Sequence, residues 1–201
     1  MRNLGWFLSA GLALNLTPGP DMLYVSARSL AQGFRYGLVS ALGIATGCLA
    51  QTVAVALGLA SLLARAPIAY RLIRFSGALY LLYLGVRILT ERTLATRQES
   101  GDPRTLGAVY IQGLMTNLLN PKVGLFFLAF LPQFVDPTSE IAPLEIFLLG
   151  CLFNLCGTTV NVLVALLAGS GGARWSQGPG LGRLGGVVLI GIALGMALAS
   201  L

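Results

Sequence analysis

The chain has 201 residues, of which 56% are apolar and 10% charged, with 13 basic against 7 acidic side chains and no histidine. Soluble domains carry roughly 25% charged residues, so a water-soluble fold is excluded. The net charge of +6 does not mark a nucleic-acid binder, because the arginines are scattered and punctuate the ends of apolar blocks instead of forming a basic stripe with interleaved aromatics.

The apolar residues fall into six blocks, at 4–26, 38–63, 68–89, 107–131, 144–168 and 184–201. Each approaches the roughly 20 residues that a helix needs to cross a hydrocarbon core. A β-barrel would need alternating ten-residue strands, whereas Thr52 to Leu63 and Ala142 to Leu155 are continuously apolar and rich in Leu and Ala. The expected fold is therefore an all-α integral membrane protein of six transmembrane helices.

The first block follows Met1-Arg2-Asn3 and imitates a secretory signal, but no A-x-A-like site follows Leu16, so it is expected to remain as a helix. It is interrupted by Thr17-Pro18-Gly19-Pro20-Asp21. The second block carries Gly47, Gln51 and Ala54 at spacings of four and three, which places them on one helical face. After the third block, Glu91 to Leu106 has Gly101, Pro103 and no apolar periodicity, and reads as a linker. The fourth block is interrupted by Leu119-Asn120-Pro121-Lys122, and the fifth carries Asn154, Thr158 and Asn161 on one face. Gly169 to Gly182 reads as a flexible loop before the sixth block, and lacks the G-x-x-x-x-G-K-[ST] phosphate pattern.

The blocks repeat. Gly11-Leu12-Ala13-Leu14-Asn15-Leu16 and Gly113-Leu114-Met115-Thr116-Asn117-Leu118 agree at four of six positions, and both run into proline. Leu42-Gly43 and Thr52-Val53 match Leu149-Gly150 and Thr159-Val160 at one offset, which pairs Gly47, Gln51 and Ala54 with Asn154, Thr158 and Asn161. The third spans agree loosely, through Leu84-Gly85 and Leu194-Gly195. The expected organisation is a first three-helix repeat at 1–90, a polar linker at 91–106 and a second repeat at 107–201. An odd number of spans per half makes the repeats inverted, an architecture typical of secondary transporters.

Arg28, Arg35, Arg87, Arg92, Arg97, Arg104, Arg174 and Arg183 fall on one side of this arrangement, and Arg2, Arg65, Arg71 and Arg74 on the other. The positive-inside rule puts the first set in the cytoplasm and both termini outside. Glycines such as Gly43, Gly150 and Gly195 mark close helix packing.

Pro18, Pro20 and Pro121 remove backbone donors and are expected to kink or break helices 1 and 4. One proline is most simply a kink. Two repeat-related breaks, each preceded by asparagine (Asn15, and Asn117 with Asn120), point to a site, since freed backbone groups are tolerated in a membrane only inside protein or along a wet cavity. Asp21 and Lys122 add charge, which in a span usually faces a pathway or a partner. Two other placements stay open: Asp21 at the cytoplasmic end of span one, and Lys122 snorkelling to an interface. If both are buried, the repeat brings them together, where they pair or take the opposite charges of a zwitterion.

In these phrases, and in Gly77-Ala78-Leu79-Tyr80-Leu81-Leu82-Tyr83-Leu84-Gly85 and Leu131-Pro132-Gln133-Phe134-Val135, the chain resembles the LysE/RhtB amino-acid exporter family, in order and over nearly its whole length. The resemblance implies a multi-pass protein of the bacterial inner membrane, surrounded by lipid, that is not an enzyme and exports amino acids or related small amino compounds. It also implies the proton motive force as the energy source and a homodimer as an assembly. Carried over by motif, Asn15, Pro18, Gly19, Pro20, Asn120, Pro121 and Lys122 form the two broken-helix signatures, and Asp21 is the candidate for a proton or a substrate amino group. Family members carry lysine, arginine, homoserine, threonine or leucine, and nothing in the residues selects among them.

The expected mechanism is alternating access around a pathway between spans one, two, four and five, lined by these residues with Gln51, Asn117, Asn154, Thr158 and Asn161. No cofactor or metal is expected. Cys48, Cys151 and Cys156 all fall in spans and read as packing residues. The competing reading is a thiol-disulfide electron carrier using Cys48 and Cys156, which lie within one residue of repeat-equivalent positions but in no C-x-x-C motif.

Overall fold

The computed structural model describes residues 4–65, 67–90, 105–136 and 139–170, together with positions 187, 190, 191, 193 and 194. All regular structure among these residues is helical: α1 (Leu4–Leu16), α2 (Pro20–Gln32), α3 (Phe34–Arg65), α4 (Pro67–Thr90), α5 (Leu106–Leu118), α6 (Pro121–Phe130) with a following 3₁₀ turn (Leu131–Phe134), and α7 (Ala142–Gly169). The second, third and fifth predicted spans correspond to α3, α4 and α7. The first and fourth are each two helices divided at the proline phrase. The sixth span, most of the 91–106 linker and most of the Gly169 to Gly182 loop lie outside the described residues.

α3, through Phe34–Gly58, and α7 are each long and apolar enough to cross a membrane. A third candidate is the pair α5 and α6, bent by 45° at its break. α1 is apolar but only 13 residues long, and α2 is more polar than the sequence reading allowed, running on past position 26 to Gln32. α2 continues because Met22, Tyr24, Val25, Ser26 and Ser29 form a buried face that packs on α3, α5 and α7. It stops at Gly33, whose φ of 91° suits glycine and whose N–H bonds the Ser29 carbonyl.

α3 lies at the centre, against α5 on one side and α7 on the other. Close approach there depends on missing side chains. A Cβ on Gly43 would collide with the Tyr110 carbonyl, one on Gly113 would sit 2.6 Å from the Ser40 carbonyl oxygen, and one on Gly150 would collide with Thr52. These atoms are rigid backbone or buried side chain, so Gly43→Ala and Gly113→Ala should each destabilise the protein by about 1–3 kcal/mol. Gly58→Ala, which meets nothing within 4 Å, should stay within about 0.5 kcal/mol of the parent. Thermal melts in detergent distinguish the two classes; equal melting temperatures would remove the packing role assigned to Gly43 and Gly113.

Beside this crossing, an aromatic cluster fixes α6 to α1 and α7. Phe126 stacks at 4.8 Å on Phe130 and at 5.2 Å on Phe153, while Phe134 meets Phe7 edge-on at 5.3 Å. Such contacts add to area burial and hold the later turns of α6 and the 3₁₀ turn after it in place.

Candidate functional site

The first break follows from Thr17. Its N–H still bonds the Ala13 carbonyl at 3.0 Å, and its hydroxyl bonds the same oxygen at 2.7 Å. Pro18 and Pro20 then have no N–H with which to continue the ladder. Gly19 is extended, with φ −162°, and Pro20 restarts the chain at the first turn of α2, where its fixed φ suits a helix start. Gly19 has no side chain, so no side chain caps the amides of α2. The second break is built differently. Asn120 caps α6 by accepting from the Lys122 N–H at 3.0 Å, and Pro121 occupies the first turn.

The two breaks meet. Lys122 is 7% exposed, and its Nζ donates to the Thr17 carbonyl at 2.7 Å, so the cation of one break satisfies the oxygen freed at the other. A Cβ on Gly19 would lie 3.3 Å from that Nζ, which explains a glycine where the ammonium passes. From the other side, Asn117 Nδ2 donates to Asp21 Oδ2 at 2.8 Å, leaving Asp21 Oδ1 buried without a hydrogen-bond partner although the Asn120 side chain is near. Lys122 therefore does not snorkel outward, and its bond goes to Thr17 instead of to Asp21.

Between the breaks lies a cavity of about 30 Å³. Its polar wall holds Asn15, Thr17, Asp21, Asn120, Lys122 and Asn161, and its apolar wall Leu14, Met22, Val123 and Phe153, with Gly19 and Gly157 between them. Roughly 10–15 Å³ of such volume admits one water, so the cavity is far too small for an amino acid. Asp21 and Lys122 supply one negative and one positive group to the same small space.

Asn15 and Asn117, equivalent in the sequence repeat, are seated reciprocally. Asn15 donates to the Phe153 carbonyl of α7 at 3.3 Å and packs on Gly157, where a Cβ would come 2.8 Å from its Oδ1. Asn117 likewise packs on a glycine of the other half, since a Cβ on Gly47 of α3 would lie 3.2 Å from its Oδ1, but its bond to α3 runs the other way: Gln51 donates to its backbone carbonyl at 2.6 Å.

Not every residue singled out from the sequence reaches the cavity. Gln51, Asn117, Asn154 and Thr158 do not line it, and Pro18, Pro20 and Pro121 shape the breaks without lining it. Asn154 joins α7 to α3 through the Ala45 carbonyl at 3.0 Å and accepts from Thr158 at 3.3 Å. Sequence reasoning missed Thr17 and the four apolar wall residues. It also assigned Arg28 to topology alone, whereas its guanidinium bonds Gln112 at 2.9 Å and Gln32 at 3.1 Å and lies 5.5 Å from the centre of the Tyr24 ring. With the Tyr24 hydroxyl donating to the Val109 carbonyl at 2.9 Å, this group clamps α2 to α5.

The LysE type translocator family model matches residues 12–200. Leucine efflux proteins of Salmonella typhimurium and Salmonella typhi are each 32% identical over 155 residues, covering 76% of this chain and 73% of theirs. An uncharacterized membrane protein of Vibrio cholerae is 30% identical over 137 residues, 68% of this chain and 67% of its own. No solved structure matches.

Proposed function

Because the chain belongs to the LysE type translocator family, we propose that it carries small amino acids outward across the bacterial inner membrane by alternating access around the cavity between its two helix breaks. The observation that carries this reading is the pairing of Asp21 and Lys122 on one buried cavity with an apolar wall. A zwitterion with an aliphatic side chain complements that set: ammonium toward Asp21, carboxylate toward Lys122 and the uncapped start of α2, side chain toward Leu14, Met22, Val123 and Phe153. The names of the Salmonella relatives suggest leucine as the first substrate to try.

Transport needs the cavity to widen, since it is too small for an amino acid. α1 with α2, and α5 with α6, are each read as one broken span, and with α3, α4 and α7 and a sixth span they form two inverted halves. The reciprocal seating of Asn15 and Asn117 supports that symmetry. Asp21 takes up the coupling proton, and its protonation releases Asn117 and frees one half to move against the other. The homodimer implied by the family is part of the same proposal.

The electron-carrier reading has no support: Cys48, Cys151 and Cys156 are all free thiols, and Cys48 is packed in the core. Expression in bacteria challenged with individual amino acids and toxic analogues tests the substrate. Growth is expected to be rescued for leucine and other aliphatic amino acids, and not for lysine or arginine, whose second cation finds no second carboxylate on the cavity. Rescue from basic amino acids alone would refute the assignment of the apolar wall.

A further inference from the structure

The apolar wall of the cavity is soft on one side and stiff on another. Met22 of α2 is an unbranched, polarizable side chain that re-forms around whatever touches it. Phe153 of α7 lines the same cavity, and its ring is held from several directions. It meets Phe126 at 5.2 Å and Phe127 edge-on at 5.1 Å. From Phe126 the contacts run on through Phe130 at 4.8 Å and Phe134 at 4.8 Å to Phe7 at 5.3 Å. Phe153 is thus the end of an aromatic row that ties α7 to α6, the 3₁₀ turn and α1.

Every ring in this row is 4% exposed or less. The fit extends to Gly11, where a Cβ would stand 3.2 Å from Phe153 Cδ2. A close-packed interior transmits a push on one ring to its neighbours, so Phe153 cannot yield alone. The row also shares a helix with the charged end of the cavity. α6 carries Lys122 in its first turn and Phe126 and Phe127 one turn later. One element therefore positions the ammonium and backs the Phe153 ring, which fixes the reach from the one to the other.

We infer that Phe153 is the residue that sets the upper size of the transported side chain, admitting aliphatic amino acids of the bulk of leucine and rejecting aromatic ones. The inference rests on the export reading above and adds its size limit. With the substrate carboxylate at Lys122, the side chain is measured against a wall that the same helix holds. The widening that transport requires falls on Met22 and on the helix breaks, while Phe153 stays in its row. One methylene too many in an apolar pocket costs roughly 10–200-fold in discrimination, and a benzyl group exceeds an isobutyl group by more than that.

The test is efflux of radiolabelled leucine or phenylalanine, at equal subsaturating concentration, from proteoliposomes holding the parent, Phe153→Leu or Phe153→Ala. The parent should release leucine at least about tenfold faster than phenylalanine. Phe153→Leu should narrow that ratio several-fold and Phe153→Ala should bring it close to unity, in both cases by raising phenylalanine efflux itself. Loss of stability alone does not produce such a gain. Should Phe153→Ala fail to fold, Phe153→Leu, which keeps apolar bulk against Phe126 and Phe127, carries the test. A parent that exports leucine and a folded variant that keeps the parental ratio overturn the size limit and leave the export reading standing. So does a parent that releases phenylalanine as fast as leucine. A folded parent that releases neither overturns both.

Discussion

Asp21→Asn should leave the protein folded and stop coupled export. The amide matches the carboxylate in shape, and its oxygen can still accept from Asn117, the bond that now measures 2.8 Å to Asp21 Oδ2. Only the charge is lost. Asp21 lines the cavity and accepts from Asn117, and in the proposed mechanism its charge both attracts the substrate ammonium and carries the coupling proton. Truncating one partner of a buried charged interaction costs roughly 2–5 kcal/mol. A loss of about 2.7 kcal/mol corresponds to a 100-fold lower efflux rate at subsaturating substrate. The remaining flux should no longer respond to an imposed proton gradient. A variant that melts normally and exports normally would show that Asp21 only holds α2 to α5.

Lys122→Met should weaken substrate binding in a way that depends on the carboxylate. Methionine fills much of the space of the lysine stem, but the Thr17 carbonyl loses its 2.7 Å donor and the cavity loses its cation. Leaving that buried oxygen unpaired costs about 1–3 kcal/mol of stability, visible as a lower melting temperature. The more diagnostic result is a comparison of leucine with isoamylamine, its decarboxylated counterpart, as competitors for transport. The parent should prefer leucine by at least about tenfold, the scale of one charge-assisted hydrogen bond of 1.5–3 kcal/mol. In Lys122→Met that preference should disappear. If leucine keeps its advantage in the variant, the carboxylate binds elsewhere, and Lys122 serves only to tie α6 to the first break.

The parts of the fold that were legible in the sequence are those that backbone chemistry dictates. Proline must end a hydrogen-bond ladder, so Pro18, Pro20 and Pro121 announced both breaks, and α2 and α6 each begin on one of these prolines. The repeated asparagines were legible for a related reason: an amide in an apolar helix needs partners, and Asn15 finds one on α7 and Asn117 one on α2. Gly33 was present as a stop signal, but the end of the apolar block near position 26 concealed how far α2 runs, because its later turns bury Ser29 as well as apolar groups.

Other features were hidden by the solvent in which the chain folds. In a membrane span every position is apolar, so nothing separates Phe153 and Met22 at the cavity from leucines that face outward. Polar residues were easier to notice than to place. Gln51 and Asn161 occupied equally conspicuous positions, yet Asn161 reaches the cavity while Gln51 turns to the Asn117 carbonyl. Thr17 looked like an ordinary residue of a proline phrase. Its importance lies in its backbone carbonyl, which no side-chain pattern reveals.

The most direct test of the central claim is efflux of radiolabelled leucine from loaded proteoliposomes containing the parent, Asp21→Asn or Lys122→Met, with each protein shown to be folded by its melting curve. Saturable efflux from the parent, stimulated by an imposed proton gradient and cut at least about tenfold in both variants at subsaturating leucine, is the predicted result. Folded variants that both release leucine at the parental rate would contradict a substrate pathway through the meeting point of the two helix breaks.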